Sequence, residues 1–413
     1  MGLYEQEPGT RIKEWDLGEN AEALIEATGE APVMYAWLGT EPRAGHPFNV
    51  YGDIKSQGRA LRETFDLNRE AIPALASRIV ERGFDTALGY GLGTSQYAAK
   101  TALGAFWSYA GFAASALDSL EYAGLGQPVD FSRTVALAYS GSGSTVDSVR
   151  AAEAMKERGA FQIAFTSVAG SPLTDVCDET VVCAGGFDTG GSDTFHYTTR
   201  VAVSIWLALE IAALRDPDAR GWNALRSRLF AVPDKLDRLF EELSARAGVL
   251  SARYRDIRSV FIVGSGANEA LAEEIALKYD EMSHIPAKAM CPGRHLHGAL
   301  GTTAPDILTI VVAPLDDPNY AALRDVAQVT RMLKTPSIAL VSDRDTAVAA
   351  EVDDVFRLPE REPILFSLLA VLPGQLLAYF AGVAQSDVNP DCQRANIARY
   401  ARAWHWLFPK GAH

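Results

Sequence analysis

The sequence predicts an α/β protein made of two tandem copies of one domain, each a parallel sheet flanked by helices (an αβα sandwich). Three features predict it. Short apolar runs alternate with longer helical stretches, as strands alternate with crossover helices. Two of these runs lead straight into a glycine turn and an alanine-rich helix, GYGLGTSQYAAK and GSGANEALAEEIALKY. Setting Gly91 on Gly264 also sets Gly93 on Gly266, so the two halves share one register. So long a period marks a duplicated domain and not a solenoid.

Residues 1–50 read as irregular, with Pro8, Pro32, Pro42 and Pro47 among scattered glycines and a short helix over 21–27. A polar helical stretch follows over 53–80, interrupted at Pro73 and ending near Gly83. A strand over 85–89 runs into GLGTSQ, where free N–H groups at a helix start can cradle an anion. The turn is not a clean G-x-G-x-x-G and no acidic residue closes the next strand, so a dinucleotide site is not expected. The next strand, over 134–139, opens into SGSGSTVDS and a helix over 146–158. Ser140, Ser142, Ser144 and Thr145 supply hydroxyls there, while Gly141 and Gly143 free the backbone to wrap an oxyanion. A flexible Ser/Gly linker has the same composition, but this run lies between a strand and an amphipathic helix with no spare length.

Strands over 162–166 and 180–183 come next, then a glycine-rich loop containing His196 and an apolar helix over 201–214. A structural histidine fits that loop as well as a working one. Residues 216–255 read as a charged helical connector. The architecture then restarts with strands over 259–263, 307–313, 337–341 and 355–357. The stretch 364–384 is the one segment apolar enough to suggest a membrane span; Pro373-Gly374 and Gln375 inside it predict a buried helix broken at Pro373.

A chain of 413 residues with 48% apolar and 22% charged residues is an ordinary globular protein with room for two or three domains. A net charge of −14 argues against nucleic-acid or anionic-membrane partners and leaves any anionic substrate to a local constellation. Cys177, Cys183, Cys291 and Cys392 are too sparse for a disulfide framework, and the first residues carry no apolar signal-peptide core, so a reducing, cytoplasmic setting is expected.

The chemistry concentrates between Glu273 and Leu300. A helix over 274–282 puts Glu274, Lys278 and Glu281 on one face, where two carboxylates and a lysine tune one another. A turn at Cys291-Pro292-Gly293 then presents His295 and His297. A carboxylate base near a histidine suits proton transfer on a small neutral carbon skeleton. An isolated Glu-Lys-Glu triplet also describes a solvated helix face; the apolar flank Ile275, Ala276, Leu277 and the glycine turn upstream favour the working reading. A metal held by Cys291, His295 and His297 would fit no standard zinc spacing.

Taken in order, DIKSQGRAL, GLGTSQ, SGSGST, DTFHYTT, EEIALKYDEMSHIPAKAM, GRHLHGAL and PGQLLAYFAGVAQSDVNP resemble the sugar isomerase (SIS) family with two tandem SIS domains. The likeness runs from about Asp53 to Trp406 and is greatest to the isomerase half of glucosamine-6-phosphate synthase and to stand-alone phosphosugar isomerases, deaminases and deglycases. It implies domains at 51–215 and 256–385, an N-terminal extension at 1–50, a connector at 216–255 and a tail at 386–413 that closes the active site. It implies an anionic sugar held by Thr94, Ser95, Ser140, Ser142, Ser144, Thr145, Asp193, Thr194 and Arg399. Glu281 matches the family's proton shuttle, with Lys278 and Glu274 beside it. His297 matches a ring-opening histidine supplied by a neighbouring subunit, hence a homodimer with shared sites and neither metal nor cofactor.

The departures bear on activity. Gly2 stands where a glutaminase domain would need its cysteine, so amide transfer from glutamine is not expected. Gly141 replaces the usual glutamine of the cup, and Arg294 and Ala299 depart from the usual turn around the histidine. Arg399 stands where the synthase carries an imine-forming lysine, and a guanidinium forms no imine. The expectation is therefore an aldose–ketose isomerase working through an enediol on a 6-phospho sugar, or on a 6-sulfo sugar such as sulfoquinovose. The alternatives are an amino-sugar-phosphate deaminase or deglycase, and a non-catalytic sugar-phosphate sensor; against the sensor, Glu281 and His297 are both present and no DNA-binding arm is visible.

Overall fold

A computed structural model describes residues 43–123, 129–186, 188–216 and 221–391. The helix expected over 21–27, Cys392 and Arg399 lie outside the described residues. Helices α1 (Asn49–Lys55), α2 (Gln57–Leu67) and α3 (Ala71–Glu81) precede the first sheet. The break expected at Pro73 falls instead at residues 68–70. Pro73 sits in the first turn of α3, where a missing N–H costs nothing.

The first half continues through β1 (Thr86–Gly91), α4 (Thr94–Ser108), β2 (Ala113–Asp118), α5 (Ser119–Ala123) and β3 (Thr134–Tyr139). It closes with α6 (Val146–Glu157), β4 (Phe161–Thr166), α7 (Pro172–Val176), β5 (Glu179–Val182) and the long α8 (Thr194–Arg215). Helices α9 (Trp222–Phe230) and α10 (Val232–Arg253) form the connector. The second half comprises β6 (Ser259–Val263), α11 (Ala267–Lys278) with a π turn (Tyr279–Ser283), β7 (Ala287–Met290), α12 (Pro292–Leu296) and β8 (Ile307–Ala313). It ends with α13 (Tyr320–Met332), β9 (Ser337–Ser342), β10 (Asp354–Leu358) and α14 (Pro363–Val383).

Two separate five-stranded sheets result, in the orders β2-β1-β3-β4-β5 and β7-β6-β8-β9-β10, all pairs parallel. The same order in both halves is the duplication expected from the glycine register. Gly93 and Gly266 even share one backbone conformation (φ 53, ψ −127 and φ 54, ψ −126), open to a residue without Cβ. Strands β2 and β7 were not expected. Their sequences, AASALD and AKAM, lack the β-branched and aromatic residues that mark a strand, and edge pairing to β1 and β6 makes them.

One continuous core lies between the sheets and includes residues of α3, α4, α8, α10, α11 and α14. Smaller clusters cover the outer faces: Tyr90, Ala136, Met155 and Leu173 on the first sheet, and Phe261, Val311, Leu323 and Val341 on the second. Helices α4 and α11 meet at the centre, where a Cβ on Gly104 would stand 3.1 Å from that of Ala267. Lys100 and Glu273, equivalent positions in the shared register, form an ion pair across this seam at 2.9 Å. Contact between equivalent positions is the signature of a two-fold arrangement.

Among the described residues two helices, α8 and α14, are long and apolar enough to cross a membrane, yet 83% and 94% of their apolar windows are buried inside the protein. Helix α14 runs through Pro373 without the expected break. Burial of Leu368, Leu369, Leu372 and Leu376 around it outweighs the roughly 3 kcal/mol cost of an interior proline. Helix α8 starts at Thr194, earlier than expected, so His196 is helical. Asp188 accepts the Thr194 N–H at 3.0 Å and supplies a start that the loop composition hides.

Candidate active site

The cup follows β3 as expected. Ser140 is buried, its Oγ accepting the Gly143 N–H at 3.1 Å and lying 3.1 Å from Thr145 Oγ1. Ser142 Oγ accepts both the N–H and the hydroxyl of Ser144, at 3.2 and 2.9 Å. Thr145 caps α6 in an extended conformation, with no capping bond from its side chain, which places a helix start at the end of the cup. Gly143, at φ 65, could not carry a side chain: a Cβ would lie 2.0 Å from Ser171 Oγ.

Helix α4 brings Thr94 and Ser95, both buried, in its first turn. They are tied to two different cations. Lys278 Nζ donates to Thr94 Oγ1 at 2.9 Å, and Arg200 Nη1 donates to Ser95 Oγ at 2.9 Å.

The Glu-Lys-Glu group is no solvated face. Lys278 and Glu274 are fully buried, and Glu281 keeps 21% of its side chain exposed. Lys278 Nζ lies 2.7 Å from Glu281 Oε2 and 3.4 Å from Glu274 Oε1, and it also donates to the Ser192 carbonyl. Glu281 does not continue the α-helix: α11 ends at Lys278, and Glu281 stands in the π turn. Such a turn re-aims a side chain within a helix and is frequent at functional sites.

Burial pushes Glu274 up to about 8, with Lys278 opposing and Glu281 adding to the rise. Burial likewise pushes Glu281 up to about 7 against the pull of Lys278. Burial alone would lower Lys278, but its two carboxylates outweigh it and hold it above its ordinary value. The lysine is thus a fixed cation, and the carboxylates can exchange a proton near neutrality.

The loop before α8 is held by carboxylates. Asp188 accepts the N–H groups of Gly191, Ser192 and Thr194, so the Thr194 N–H is already engaged. Asp53 accepts from Thr189 N, Thr189 Oγ1 and Gly190 N, at 2.8, 2.8 and 2.6 Å. Asp193, expected as a substrate contact, is engaged inside the protein. Arg200 Nη1 reaches its Oδ2 at 3.0 Å, and His196 Nδ1 meets its Oδ1. Burial would raise Asp193, but Arg200 and His196 prevail and hold it well below the carboxylate range. Both ring nitrogens of His196 are occupied, Nε2 by the Gly186 carbonyl at 2.7 Å, which makes it a structural histidine.

Arg200, absent from the expected site, has a side chain with 0% exposure. Its one sequence signal is the cup glycine at 141, which leaves the room it fills. His297 is not brought to Glu281 within the chain: it follows α12 at the surface, and its imidazole makes no hydrogen bond among the described residues. His295 is buried against Phe261, and no group of three or more His, Cys, Asp or Glu suited to a metal occurs among the described residues.

Residues 253–383 match the SIS domain family model. The chain is 27% identical over 391 residues to the isomerizing glutamine–fructose-6-phosphate aminotransferase of Thermococcus kodakarensis, covering 94% of this chain and 62% of that protein. It therefore spans less than two thirds of that relative's length. Among solved structures, it superimposes on the C-terminal domain of glucosamine-fructose-6-phosphate aminotransferase from Francisella tularensis with a TM-score of 0.75, at 22% identity over 84% of this chain and 99% of that one. It also superimposes on tagatose-6-phosphate ketose/aldose isomerase from Escherichia coli with a TM-score of 0.66, at 16% identity over 85% and 96%. At these identities the structures speak for the fold alone. Residues 253–383 thus form a SIS domain, and the first half, with the same sheet order, is consistent with a second one.

Proposed function

We propose that this protein is an aldose–ketose isomerase of an anionic sugar, a 6-phospho sugar by default with a 6-sulfo sugar such as sulfoquinovose as the variant. Glu281 carries the reading: a partly exposed carboxylate pushed up to about 7, beside a buried lysine that also bonds Thr94 next to the cup. The relative's printed name, which includes fructose-6-phosphate, supports the phosphate default.

For an open-chain aldose, the C2 proton passes to Glu281 and the C–H electron pair forms the C1–C2 double bond as the C1 carbonyl oxygen takes up a proton. Return of the proton from Glu281 to C1, with loss of the O2 proton, gives the ketose. Lys278 keeps Glu281 ionised while the cup holds the far end of the sugar. His297, exposed and without a hydrogen-bond partner among the described residues, suits ring opening in the site of a second copy, so the reading includes a homodimer. A cytoplasmic setting without nucleic-acid or membrane partners goes with it.

The test is turnover in deuterated water with candidate phospho- and sulfo-sugars. Deuterium at C1 or C2 of recovered sugar is the expected result. Release of ammonia or an amino acid from an amino sugar, with no isomerisation of any plain sugar, would overturn the reading.

A further inference from the structure

Arg200 is a buried cation that the proton-transfer chemistry does not use. It lies in the second turn of α8 with no exposed side-chain surface, and burying a guanidinium costs several kcal/mol unless partners recover it. Its partners are the parts of the anion site. Nη1 donates to Ser95 Oγ at 2.9 Å and to Asp193 Oδ2 at 3.0 Å, and Nη2 lies 3.4 Å from Asp193 Oδ1. Nε has no partner.

The decisive contact is with the cup. A Cβ added to Gly141 would stand 2.5 Å from Arg200 Nη2 and 3.6 Å from Cζ. Gly141 takes no positive φ, so its backbone does not demand glycine; the guanidinium does. A side chain at 141 and the guanidinium in this position therefore exclude one another. Asp193 Oδ1 would stand 3.5 Å from the same Cβ, so the wall is an ion pair whose nearer member is the guanidinium, and the carboxylate is shared with His196. The cup offers only neutral donors, hydroxyls and backbone N–H groups, so the cation against its back wall is a charge it does not otherwise contain.

We propose that Arg200 is the specificity-determining positioning residue of the anion cup. From behind Gly141, it fixes the cup loop, Ser95 and the Asp193 loop in one arrangement and supplies the positive charge that selects a tetrahedral oxyanion head group. The proposal rests on the anionic-sugar reading for its location and deepens it. Because its side chain is sealed from solvent, Arg200 acts through Ser95 and the cup backbone, not by touching substrate.

The experiment titrates inorganic phosphate and inorganic sulfate into the full chain by calorimetry. The proteins compared are the wild type, Arg200→Met, Arg200→Lys, Gly141→Ala and the double variant Gly141→Ala/Arg200→Met. Arg200→Met should weaken both anions by about tenfold or more, through loss of the charge behind the cup and of the hydrogen bond that holds Ser95. Arg200→Lys should recover part of this, since the charge returns without the fork. Gly141→Ala should lose about as much, because its methyl displaces the guanidinium, and the double variant should lose no more than either single one. With a turned-over sugar, KM should rise while kcat stays within a few-fold; a merely structural role would reduce the active fraction and lower apparent kcat with KM unchanged.

Unchanged anion binding in folded Arg200→Met, or losses that multiply in the double variant, would overturn the proposal. If Arg200→Met does not fold, Arg200→Lys and Gly141→Ala decide by the same criteria. The preferred anion identifies the head group, phosphate or sulfonate. A wild type that binds both anions but isomerises no sugar would sink the isomerase reading and leave this one standing; a wild type that binds neither would overturn this one.

Discussion

The two halves have the same sheet order and the same glycine turn, yet the loops and helix faces that follow differ in chemistry. After β3 the first half carries Ser140-Gly141-Ser142-Gly143-Ser144-Thr145, hydroxyls and bare backbone at a helix start. After β8 the second half carries Pro314-Leu315-Asp316-Asp317-Pro318-Asn319. There Asp317 accepts from Ser265 Oγ at 2.6 Å and from Asn319 N at 2.8 Å, so a carboxylate fills the place where an anion would sit. Along the helices the division reverses. In the shared register Glu274 and Lys278 of α11 fall opposite Thr101 and Ala105 of α4, which carry no charge. On the proposed function, one copy holds the charged end of a ligand and the other moves protons at the reactive end. Lys278 reaching Thr94 is the seam between them.

The largest expected effect tests the proton-moving half. Glu281→Gln keeps shape but removes the base, so kcat should fall by about a hundredfold to ten-thousandfold with KM nearly unchanged. The wild-type rate should rise as pH climbs through about 7, because the reactive form is the deprotonated carboxylate that burial holds up to about 7. Steady-state rates from pH 5 to 9 check both. A normal kcat in the variant would take the chemistry away from α11, and the division of labour with it.

Next in size is the buried lysine. Lys278→Met leaves Glu274 and Glu281 facing each other in the interior, and breaking such a group costs about 3–5 kcal/mol. Both carboxyls sit above their unfolded values, so they favour the folded state when protonated and oppose it once pH rises through 7 and 8. The loss in Lys278→Met should therefore be largest above pH 8 and shrink toward pH 5, as urea denaturation at the two extremes would show. A loss independent of pH would mean that Lys278 does not compensate the pair.

What was legible in the sequence follows from where each signal is stored. The central strands over 134–139, 259–263 and 307–313 coincide with β3, β6 and β8, because strands buried on both faces must be apolar throughout. The edge strands β2 and β7 were illegible, since alanine and lysine suit a helix as well as an edge. The cup was legible because its glycines and hydroxyls are contiguous. The π turn at Glu281 was not: it changes the helix phase by one residue without changing composition. Arg200 was hidden for a third reason. Its neighbours Ser95, Gly141 and Asp193 come from one helix start and two loops, and only folding sets them around one guanidinium.

The cup itself should give a smaller effect. Ser142→Ala or Thr145→Ala removes one hydroxyl from a loop that keeps its backbone donors, so KM for an anionic sugar should rise by about tenfold or less and kcat should hold. The pattern is the mirror of Glu281→Gln. If either cup variant lowered kcat with KM unchanged, or if neutral sugars turned over as well as anionic ones, the first half would not be the anion-holding half.

The smallest effect is expected where the two copies touch at equivalent positions. Lys100 and Glu273 each keep 30% of their side chain exposed, and pairs of that kind contribute about 0–1 kcal/mol, less at high salt. Lys100→Ala should shift stability within that range and leave kcat and KM unchanged, because neither residue touches Lys278 or the cup. Lys100→Glu places like charges across the seam and should cost somewhat more, again less in salt. Because the two positions are equivalent in the duplicated register, the exchange Lys100→Glu/Glu273→Lys restores opposite charges in nearly the same geometry and should return most of that loss. Thermal denaturation of the four proteins at low and high salt measures it. Full recovery with unchanged kinetics would mark the seam as a symmetric scaffold contact. A kcat loss that persists in the charge-exchanged protein would instead make Lys100 part of the working site and break the clean division between the halves.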